Sequence, residues 1–305
     1  DMKSVRILNR IITWTDTGIE YEPDQRHAEI IIRQMGLKEN SKGVVTPGIR
    51  VDPKDKCDKK LGKKEASLYR GIVARANYLA QDRTDIKFAV KELSRHMSEP
   101  TIGDVDAAKR LARYLQACPR MVSKFKWQDK PGFVEGWSDS DWAGCLRTRK
   151  STSGGILKWG GHVIKGWSAT QNVIALSSGE AEIYAMVKAA SQLIGMRTMF
   201  SDWGIVTKAK MITDATAAMG ISQRRGMGTI RHIETSQLWI QDRVFRRDLE
   251  VEKIGGKMNI ADALTKYVDS KSLAMHIEGI KLERRDGRHA EAPEVVGDDV
   301  LTEVN

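Results

Sequence analysis

The chain has 305 residues, 41% of them hydrophobic and 30% charged, which is enough for two ordinary domains, or for one domain with an appendage, with a buried core. Lysine and arginine number 50 against 40 aspartate and glutamate, so the formal net charge is +10. This basic excess favours a polyanionic partner, nucleic acid before an anionic membrane, with plain solubility as the alternative. No apolar run approaches the roughly 18 residues of a membrane span, and the N-terminus lacks a signal peptide's apolar core.

The cysteines and histidines form no recognisable site. Cys57, Cys118 and Cys145 are an odd, scattered set without a C-x-x-C pair, so they predict neither a disulfide framework nor a zinc site. Such cysteine usage is typical of a reducing compartment. The six histidines show no metal-ligand spacing. The chain begins abruptly in strand-like sequence, which indicates a piece of a longer polypeptide.

The first part of the chain predicts a small α+β region. Residues 5–22 predict a hairpin, with one arm running to Trp14, a turn at Asp16-Thr17-Gly18 and a short return strand. Asp24 is placed to cap a short helix, and the polar, lysine-rich residues 38–65 predict a linker. Residues 66–119 then predict helices.

Beyond residue 120 the pattern changes to strands separated by helices. The predicted order is a strand at 133–139, two strands within 151–168, a helix at 177–203, a strand at 210–213, helices from 215 and over 233–247, a strand at 249–254 and a helix opening at 259–262. This order predicts a mixed sheet with helices on its faces. The charged residues 283–305, interrupted by glycine and proline, predict a disordered tail.

Four acids stand where strands end or helices begin: Asp139, Glu182, Asp214 and Asp262. Such positions bring side chains to one edge of a sheet. Carboxylates gathered there repel each other, and they stay ionised together only beside a cation. Oxygen ligands favour Mg²⁺ or Mn²⁺, and two such ions are a standard device for phosphodiester cleavage. Singly, each acid is more often a turn or cap residue; the ordered set is much more specific.

Several blocks resemble the ribonuclease H domain of copia-type retrotransposons and the stretch that precedes it. The nuclease blocks are Gly136-Trp137-Ser138-Asp139-Ser140-Asp141-Trp142-Ala143-Gly144, Lys150-Ser151-Thr152-Ser153-Gly154-Gly155, Ala175-Leu176-Ser177-Ser178-Gly179-Glu180-Ala181-Glu182, Thr213-Asp214 and Asn259-Ile260-Ala261-Asp262-Ala263-Leu264-Thr265-Lys266. The upstream blocks include Ala76-Asn77-Tyr78-Leu79-Ala80 and Arg83-Thr84-Asp85-Ile86. The resemblance covers roughly residues 5–275.

The resemblance implies an α/β fold, a ribonuclease H-like mixed five-stranded sheet with flanking helices, preceded by a smaller α+β thumb and connection region. The implied domains are the end of a reverse transcriptase at 1–65, a helical connection at 66–120, the ribonuclease H domain at 121–282 and the tail at 283–305. The implied function is two-metal hydrolysis of the RNA strand of an RNA–DNA hybrid, in the cytoplasm within a virus-like particle or in the nucleus.

The family's metal-binding acids carry over to Asp139, Glu182, Asp214 and Asp262, with two Mg²⁺ ions that Mn²⁺ can replace. The chain has no Tyr-x-Asp-Asp, the polymerase metal site, so the polymerase is expected upstream in the same polyprotein and no polymerase activity is expected here. Some cellular relatives carry a histidine before the last acid. Here that loop is Gly255-Gly256-Lys257-Met258, which puts proton transfer by a histidine in doubt.

Candidate substrate contacts are less specific. The basic turn Arg147, Arg149 and Lys150 fits phosphates as well as it fits plain solvation, and Gln171, Asn172 and Ser177 fit a 2′-hydroxyl as well as they fit turns and caps. A second basic segment contains Arg224, Arg225, Arg231 and His232. For six tryptophans, core or sheet packing is favoured over base stacking: Trp137, Trp142, Trp159, Trp167, Trp203 and Trp239.

Two alternatives compete with an active ribonuclease H. Integrases share the general fold, but their acids run Asp, Asp, Glu, whereas the Glu here comes second. A decayed element copy would bind nucleic acid without cutting it, and the presence of all four acids argues mildly against decay. Within the long helix, Ser177-x-x-Glu180 has capping-box spacing, which leaves Glu182, about 200° further around the helix, as the predicted ligand.

Overall fold

A computed structural model describes residues 3–52, 54–228 and 233–295. The chain divides into two compact units, the first formed by Asp1–Trp127 with Tyr267–Asn305 and the second by Gln128–Lys266. The sequence predicted the boundaries of the second domain near residues 120 and 282. No helix within the described ranges is long and apolar enough to cross a bilayer.

Ten strands and eight α-helices make up the regular structure of the described residues. The strands are β1 (Lys3–Ile7), β2 (Arg10–Thr15), β3 (Gly18–Glu22), β4 (Arg120–Lys126), β5 (Phe133–Ser140), β6 (Thr152–Trp159), β7 (His162–Thr170), β8 (Lys208–Thr213), β9 (Glu250–Lys253) and β10 (Leu282–Arg285). The helices are α1 (Arg26–Gln34), α2 (Lys63–Leu79), α3 (Lys87–Ser94), α4 (Ile102–Ala117), α5 (Ser178–Asp202), α6 (Thr216–Gln223), α7 (Trp239–Phe245) and α8 (Ser270–Gly279).

The first unit is an antiparallel sheet of order β1-β2-β3-β4-β10, accompanied by helices α1 to α4 and α8. The predicted long first arm of the hairpin is wrong, because it is two strands. Leu8 and Asn9 have φ of +49° and +63°, and two consecutive residues with positive φ close a tight turn between antiparallel strands. The predicted α+β character is present, although the unit is the larger of the two because the chain returns to it after Lys266.

The predicted disordered tail needs a correction at its start. Residues 283–285 belong to β10, which pairs antiparallel with β4 and so satisfies its backbone groups. The Arg285 guanidinium also bonds the Glu20 carboxylate, at 2.8 Å from its Nη1 atom. Composition alone suggested disorder because the charged side chains that make these pairs resemble those of a solvated segment. Residues 296–305 lie outside the described ranges.

The second unit is a five-stranded mixed sheet of order β7-β6-β5-β8-β9. Strands β5, β6 and β7 form an antiparallel meander, and β8 and β9 continue the sheet parallel to β5. Helix α5 connects β7 to β8 and packs on the sheet through a stripe that includes the fully buried Ile183, Met186 and Leu193. This architecture confirms the predicted α/β, ribonuclease H-like class.

The segment after β9 differs from the prediction. Asp262–Leu264 is a single 3-10 turn rather than the start of a long helix, and the next helix, α8, belongs to the first unit. Asn259 favours this short turn because its side-chain oxygen accepts a hydrogen bond from the Ala261 amide at 3.1 Å. The predicted helix over 233–247 is likewise shorter, a 3-10 turn at Thr235–Leu238 followed by α7.

Gly154 in β6 sets how closely this turn approaches the sheet. A Cβ atom there would lie 2.7 Å from Thr265 Cγ2, 2.9 Å from Leu264 Cβ and 3.0 Å from the Ala261 carbonyl oxygen. The Ala261 oxygen belongs to the backbone and Leu264 Cβ is bonded directly to it, so neither atom can swing away. The turn that carries Asp262 therefore rests on a position that only glycine fits.

We expect Gly154→Ala to lower the free energy of unfolding by about 1–3 kcal/mol, because the added methyl group overpacks the contact with the turn. Gly195→Ala is the matched control in the same unit. Gly195 is exposed in α5, where a new Cβ meets nothing within 4 Å, so alanine should stabilise by roughly 0.5–1 kcal/mol. Urea unfolding of both variants measures the difference, and an unaltered Gly154→Ala protein would contradict this packing.

Candidate active site

Four elements of the second unit deliver the predicted acids. Asp139 is the penultimate residue of β5, Asp214 directly follows β8, Glu182 lies in the second turn of α5, and Asp262 begins the 3-10 turn. Because β5 and β8 are parallel neighbours, their carboxyl ends meet at the same edge of the sheet. The acids are close enough that Asp139 feels the charges of Asp214 and Asp262, and Glu182 those of Asp139 and Asp214.

Asp139 is the most enclosed of the four, with 5% of its surface exposed. Its Oδ2 atom is hydrogen-bonded to the Thr265 hydroxyl, which also lies 2.9 Å from the Asp262 carbonyl oxygen. Burial raises the pKa of Asp139 to about 6; the Thr265 bond opposes this rise, and the charges of Asp262 and Asp214 add to it. The Thr265 hydroxyl therefore favours the ionised form of Asp139 by donating to it.

Glu182 brings an unsatisfied oxygen into the site. Its Oε1 atom accepts a hydrogen bond from the Ser140 amide at 3.3 Å, whereas Oε2 is buried without a hydrogen-bond partner among the described residues. Burial, together with the charges of Asp139 and Asp214, raises the pKa of Glu182 to about 9. A buried acceptor without a donor is costly unless a ligand or cation completes it.

Asn259 fixes the third acid to the sheet. Its side-chain amide donates to Asp214 Oδ1 at 3.1 Å and to the Ser138 carbonyl oxygen at 2.9 Å. Asn259 is itself buried. The β5 backbone and the carboxylate that follows β8 are thus joined through one side chain from the segment after β9.

Lys266 supplies positive charge at the fourth acid. Its ammonium lies 2.5 Å from Asp262 Oδ1, four residues earlier in the chain. Burial disfavours the charged form, but the bond to Asp262 and the charges of Asp262, Asp139 and Asp214 together raise the pKa of Lys266 above its usual value. Lys266 therefore offsets part of the repulsion among the carboxylates.

The donor set fits a hard divalent cation in its chemistry, since all four predicted ligands are carboxylates and Glu182 Oε2 has no partner. The side chains as they stand form no group of three or more His, Cys, Asp or Glu residues able to hold a metal ion anywhere in the described ranges. Asp262 is engaged by Lys266, and Asp139 by Thr265. Metal binding at this edge thus requires these carboxylates to exchange partners.

Two acids that lie close in sequence to the predicted ligands make structural hydrogen bonds. Glu180 Oε2 accepts a hydrogen bond from the Leu176 amide at 2.8 Å, and Ser177 Oγ accepts one from the Glu180 amide at 3.2 Å. Glu180 therefore serves the start of α5, with its carboxylate on the amide that precedes the cap residue. Asp141 Oδ1 accepts a hydrogen bond from the Thr152 amide across the β5–β6 loop. Neither observation involves the cluster formed by Asp139, Glu182 and Asp214.

The predicted substrate contacts divide into exposed and structural residues. Arg147 and Arg149 are exposed on the β5–β6 loop, Lys150 is partly exposed, and Asn172 is exposed at the start of the β7–α5 loop. Gln171 needs a correction because it is buried, with its amide nitrogen 2.8 Å from the Ala181 carbonyl oxygen and 3.0 Å from Ser153 Oγ. Ser177 is the cap of α5, the alternative that the sequence left open.

The tryptophans also fall into two groups, those packed against the core and those that are exposed. Trp159, Trp167 and Trp239 pack against the core of the second unit, as predicted. The prediction is wrong for Trp142 and Trp203, which are 55% and 65% exposed. In the second basic segment Arg224 bonds the Met227 carbonyl oxygen at 2.8 Å and Arg225 lies over the Phe245 ring, while Arg231 and His232 lie outside the described residues.

Sequence reasoning did not single out Asn259, Thr265 or Lys266 as site residues, although all three belong to the block around Asp262. Their partners explain why. Thr265 and Asp139 are 126 positions apart, and Asn259 and Ser138 are 121 apart, so no local pattern links them. The resemblance of the whole block was the one available signal.

The strand order and the four converging acids define a ribonuclease H-like α/β domain. No protein-family model matches the chain. It is 28% identical over 252 residues to the retrovirus-related Pol polyprotein from transposon TNT 1-94 of Nicotiana tabacum, covering 80% of this chain and 19% of that one. It is 32% identical over 201 residues to the corresponding polyprotein from transposon RE1 of Arabidopsis thaliana, covering 65% and 14%.

The homologues of the chain are retrovirus-related Pol polyproteins from copia/Ty1-type transposons, and the chain spans less than a fifth of the length of these two relatives. Among solved structures it is similar to LC11-RNase H1 in complex with an RNA/DNA hybrid, with 15% identity, a TM-score of 0.30 and coverage of 43% of this chain and 93% of that one. The fold assignment itself rests on the strand order and pairing described above.

We expect Glu182→Gln to stabilise the protein in EDTA at pH 8 by more than about 1 kcal/mol, since each unit of upward pKa shift costs about 1.4 kcal/mol once the acid ionises. The folded pKa of about 9 lies above the ordinary value of 4.5, so stability present at low pH is lost as pH rises between these values. The gain should therefore shrink towards pH 5. Urea unfolding at both pH values measures it.

Glu180→Gln is the control for that measurement, because it removes a carboxylate two residues away without touching the cluster. Glutamine can still accept the bond from the Leu176 amide and still reach the Tyr184 hydroxyl. This variant should show no pH-dependent gain. A Glu182→Gln protein whose advantage is the same at pH 5 and pH 8 would show that Glu182 is not held at a raised pKa.

Proposed function

We propose that this chain is the ribonuclease H of a retrotransposon reverse transcriptase, which hydrolyses the RNA strand of RNA–DNA hybrids. The observation that carries the proposal is the meeting of four carboxylates at one sheet edge, with the buried Glu182 Oε2 atom left without a hydrogen-bond partner. Similarity to Pol polyproteins of copia/Ty1-type transposons supports it. The activity is proposed for this part of the polyprotein alone.

Asp139, Glu182, Asp214 and Asp262 are the proposed ligands of two Mg²⁺ ions, for which Mn²⁺ can substitute. Such ions supply activation of a water molecule for attack on the phosphodiester and stabilisation of the leaving oxygen. The carboxylates contribute negative charge that holds the cations. Asn259 and Thr265 orient two of the carboxylates, because each donates a hydrogen bond to one of them.

Lys266 has a proposed role of its own in this site. Its ammonium reduces repulsion among the carboxylates by pairing with Asp262. Cation binding at Asp262 competes with this ion pair, so Lys266 is then released towards solvent or towards a substrate phosphate. The lysine is half exposed, which leaves it free to make that exchange.

The remaining assignments concern partners and location. The exposed Arg147 and Arg149, with Lys150, are proposed phosphate contacts, and Asn172 a proposed contact to the sugar. The net charge of +10 supports a nucleic-acid substrate. The polymerase part of the same polyprotein is the proposed covalent partner, and the proposed location is a cytoplasmic virus-like particle or the nucleus.

A second candidate is a catalytically inactive, nucleic-acid-binding remnant of a retroelement. One observation favours it: no three acids in the described ranges stand in metal-holding geometry, and Asp262 is paired with Lys266. The two candidates agree on hybrid binding. They differ in whether Mg²⁺ elicits cutting.

The deciding experiment incubates the full chain with a hybrid labelled on each strand, with Mg²⁺, with Mn²⁺ and with EDTA. We expect divalent-dependent cleavage of RNA with intact DNA, and a loss of roughly a hundredfold or more for Asp139→Asn and for Glu182→Gln, because each removes a charged cation ligand. Glu180→Gln should cut nearly as well as the parent.

Hybrid binding without cleavage in either metal would favour the inactive remnant. Cleavage in EDTA, or an active Asp139→Asn protein, would contradict the proposed site. The same preparation should not extend a DNA primer, since the chain lacks Tyr-x-Asp-Asp.

A further inference from the structure

Trp142 is an exposed tryptophan on the loop that follows the first proposed ligand. It lies three positions after Asp139, and 55% of its surface is exposed. Its indole nitrogen donates a hydrogen bond to the Ala175 carbonyl oxygen at 3.0 Å, which ties the β5–β6 loop to the β7–α5 loop. A single exposed apolar side chain is ordinary, whereas a contiguous group of them often marks a ligand or partner site.

The two joined loops carry further exposed apolar side chains. Leu146 on the first loop is 51% exposed, and Ile174 and Leu176 on the second are 51% and 64% exposed. The β5–β6 loop is held in shape by hydrogen bonds from the Ala143 amide to Ser151 Oγ, at 2.9 Å, and from the Arg149 amide to the Cys145 carbonyl oxygen, at 2.7 Å. The patch is therefore preorganised.

The position of this patch ties it to the carboxylates. Ser140, two residues before Trp142, donates its amide to Glu182. Gln171, which begins the second loop, bonds Ser140 Oγ at 3.2 Å. The first loop therefore starts from a residue that touches the proposed ligand Glu182, and the second loop starts from a residue bonded to Ser140.

The charges beside the patch select the chemistry of its partner. Arg147 and Arg149 are exposed on the same loop as Trp142, and Lys150 closes it. A patch that combines an aromatic face with adjacent cations matches a nucleic-acid strand, in which apolar sugar faces alternate with phosphates. An apolar protein partner would not require this set of cations.

Building on the proposed function, we infer that Trp142 packs against the sugar faces of the RNA–DNA hybrid beside the cleaved phosphate and positions the strand. In a duplex the base faces are covered by stacking, while a wide, shallow minor groove exposes the sugars. Arg147 and Arg149 then hold the flanking phosphates. Trp142 is a positioning residue that sets substrate affinity, and the carboxylates carry out the chemistry.

The test measures binding of the full chain to a fluorescent hybrid of about two helical turns in EDTA, where no cutting is needed. Trp142→Ala should raise the Kd about tenfold, because apolar contact area is lost, and Trp142→Phe should restore most of the affinity. Trp203→Ala is the matched control. Trp203 is also exposed, but it follows the C-terminal end of α5, whereas the patch precedes the N-terminal end, so the Kd of this variant should equal that of the parent.

The salt dependence of hybrid binding distinguishes the contribution of the Trp142 indole from that of the arginines. Trp142→Ala should leave the slope of log Kd against log salt unaltered, whereas Arg147→Ala and Arg149→Ala should each reduce it by about one. Equal affinity of the Trp142→Ala and parent proteins, or no rescue by phenylalanine in a folded variant, overturns the inference. Because binding is measured in EDTA, absence of cleavage by the parent would remove the proposed nuclease and leave this result standing.

Discussion

Electrostatic repulsion among four carboxylates at one edge of the second sheet is the constraint on which this unit depends. Acids at the ends of neighbouring parallel strands are brought together by the fold, and burial raises the pKa of Asp139 to about 6 and of Glu182 to about 9. A fold with no use for such a cluster would gain stability by losing it. The raised pKa values of these acids therefore support the proposal of a ligand site at this edge.

The segment from Asn259 to Lys266 offsets the repulsion among these carboxylates. Within eight residues it supplies an amide to Asp214, a hydroxyl to Asp139, and an ammonium to Asp262. Each donor reduces the free-energy cost of holding one carboxylate at this edge of the sheet. Its close approach to the sheet depends on the missing side chain of Gly154, so the packing of β6 and the electrostatics of the edge are coupled.

The first unit contains a second buried ionic group with a different character. Arg83 and Asp85 form an ion pair at 2.7 Å with almost no exposed surface, and Tyr114 and the Cys118 carbonyl oxygen complete their hydrogen bonds. Here each charge has its partners, so the group is a structural one. At the carboxylate edge Glu182 Oε2 has none. Hydrogen bonding is complete in the first group and incomplete in the second, and this difference distinguishes a structural ionic group from a candidate site.

The sequence by itself indicated most element types of the second unit and singled out the four acids, because strand alternation, helical stripes and cap residues are local patterns of a few positions. It also separated Glu180 from Glu182, since the helical repeat fixes which side chains share a face. Only the tertiary structure decided that Thr265 bonds Asp139 and that β10 pairs with β4. It also decided that Gln171 is buried and Trp142 exposed, because burial depends on what distant parts of the chain pack against a residue.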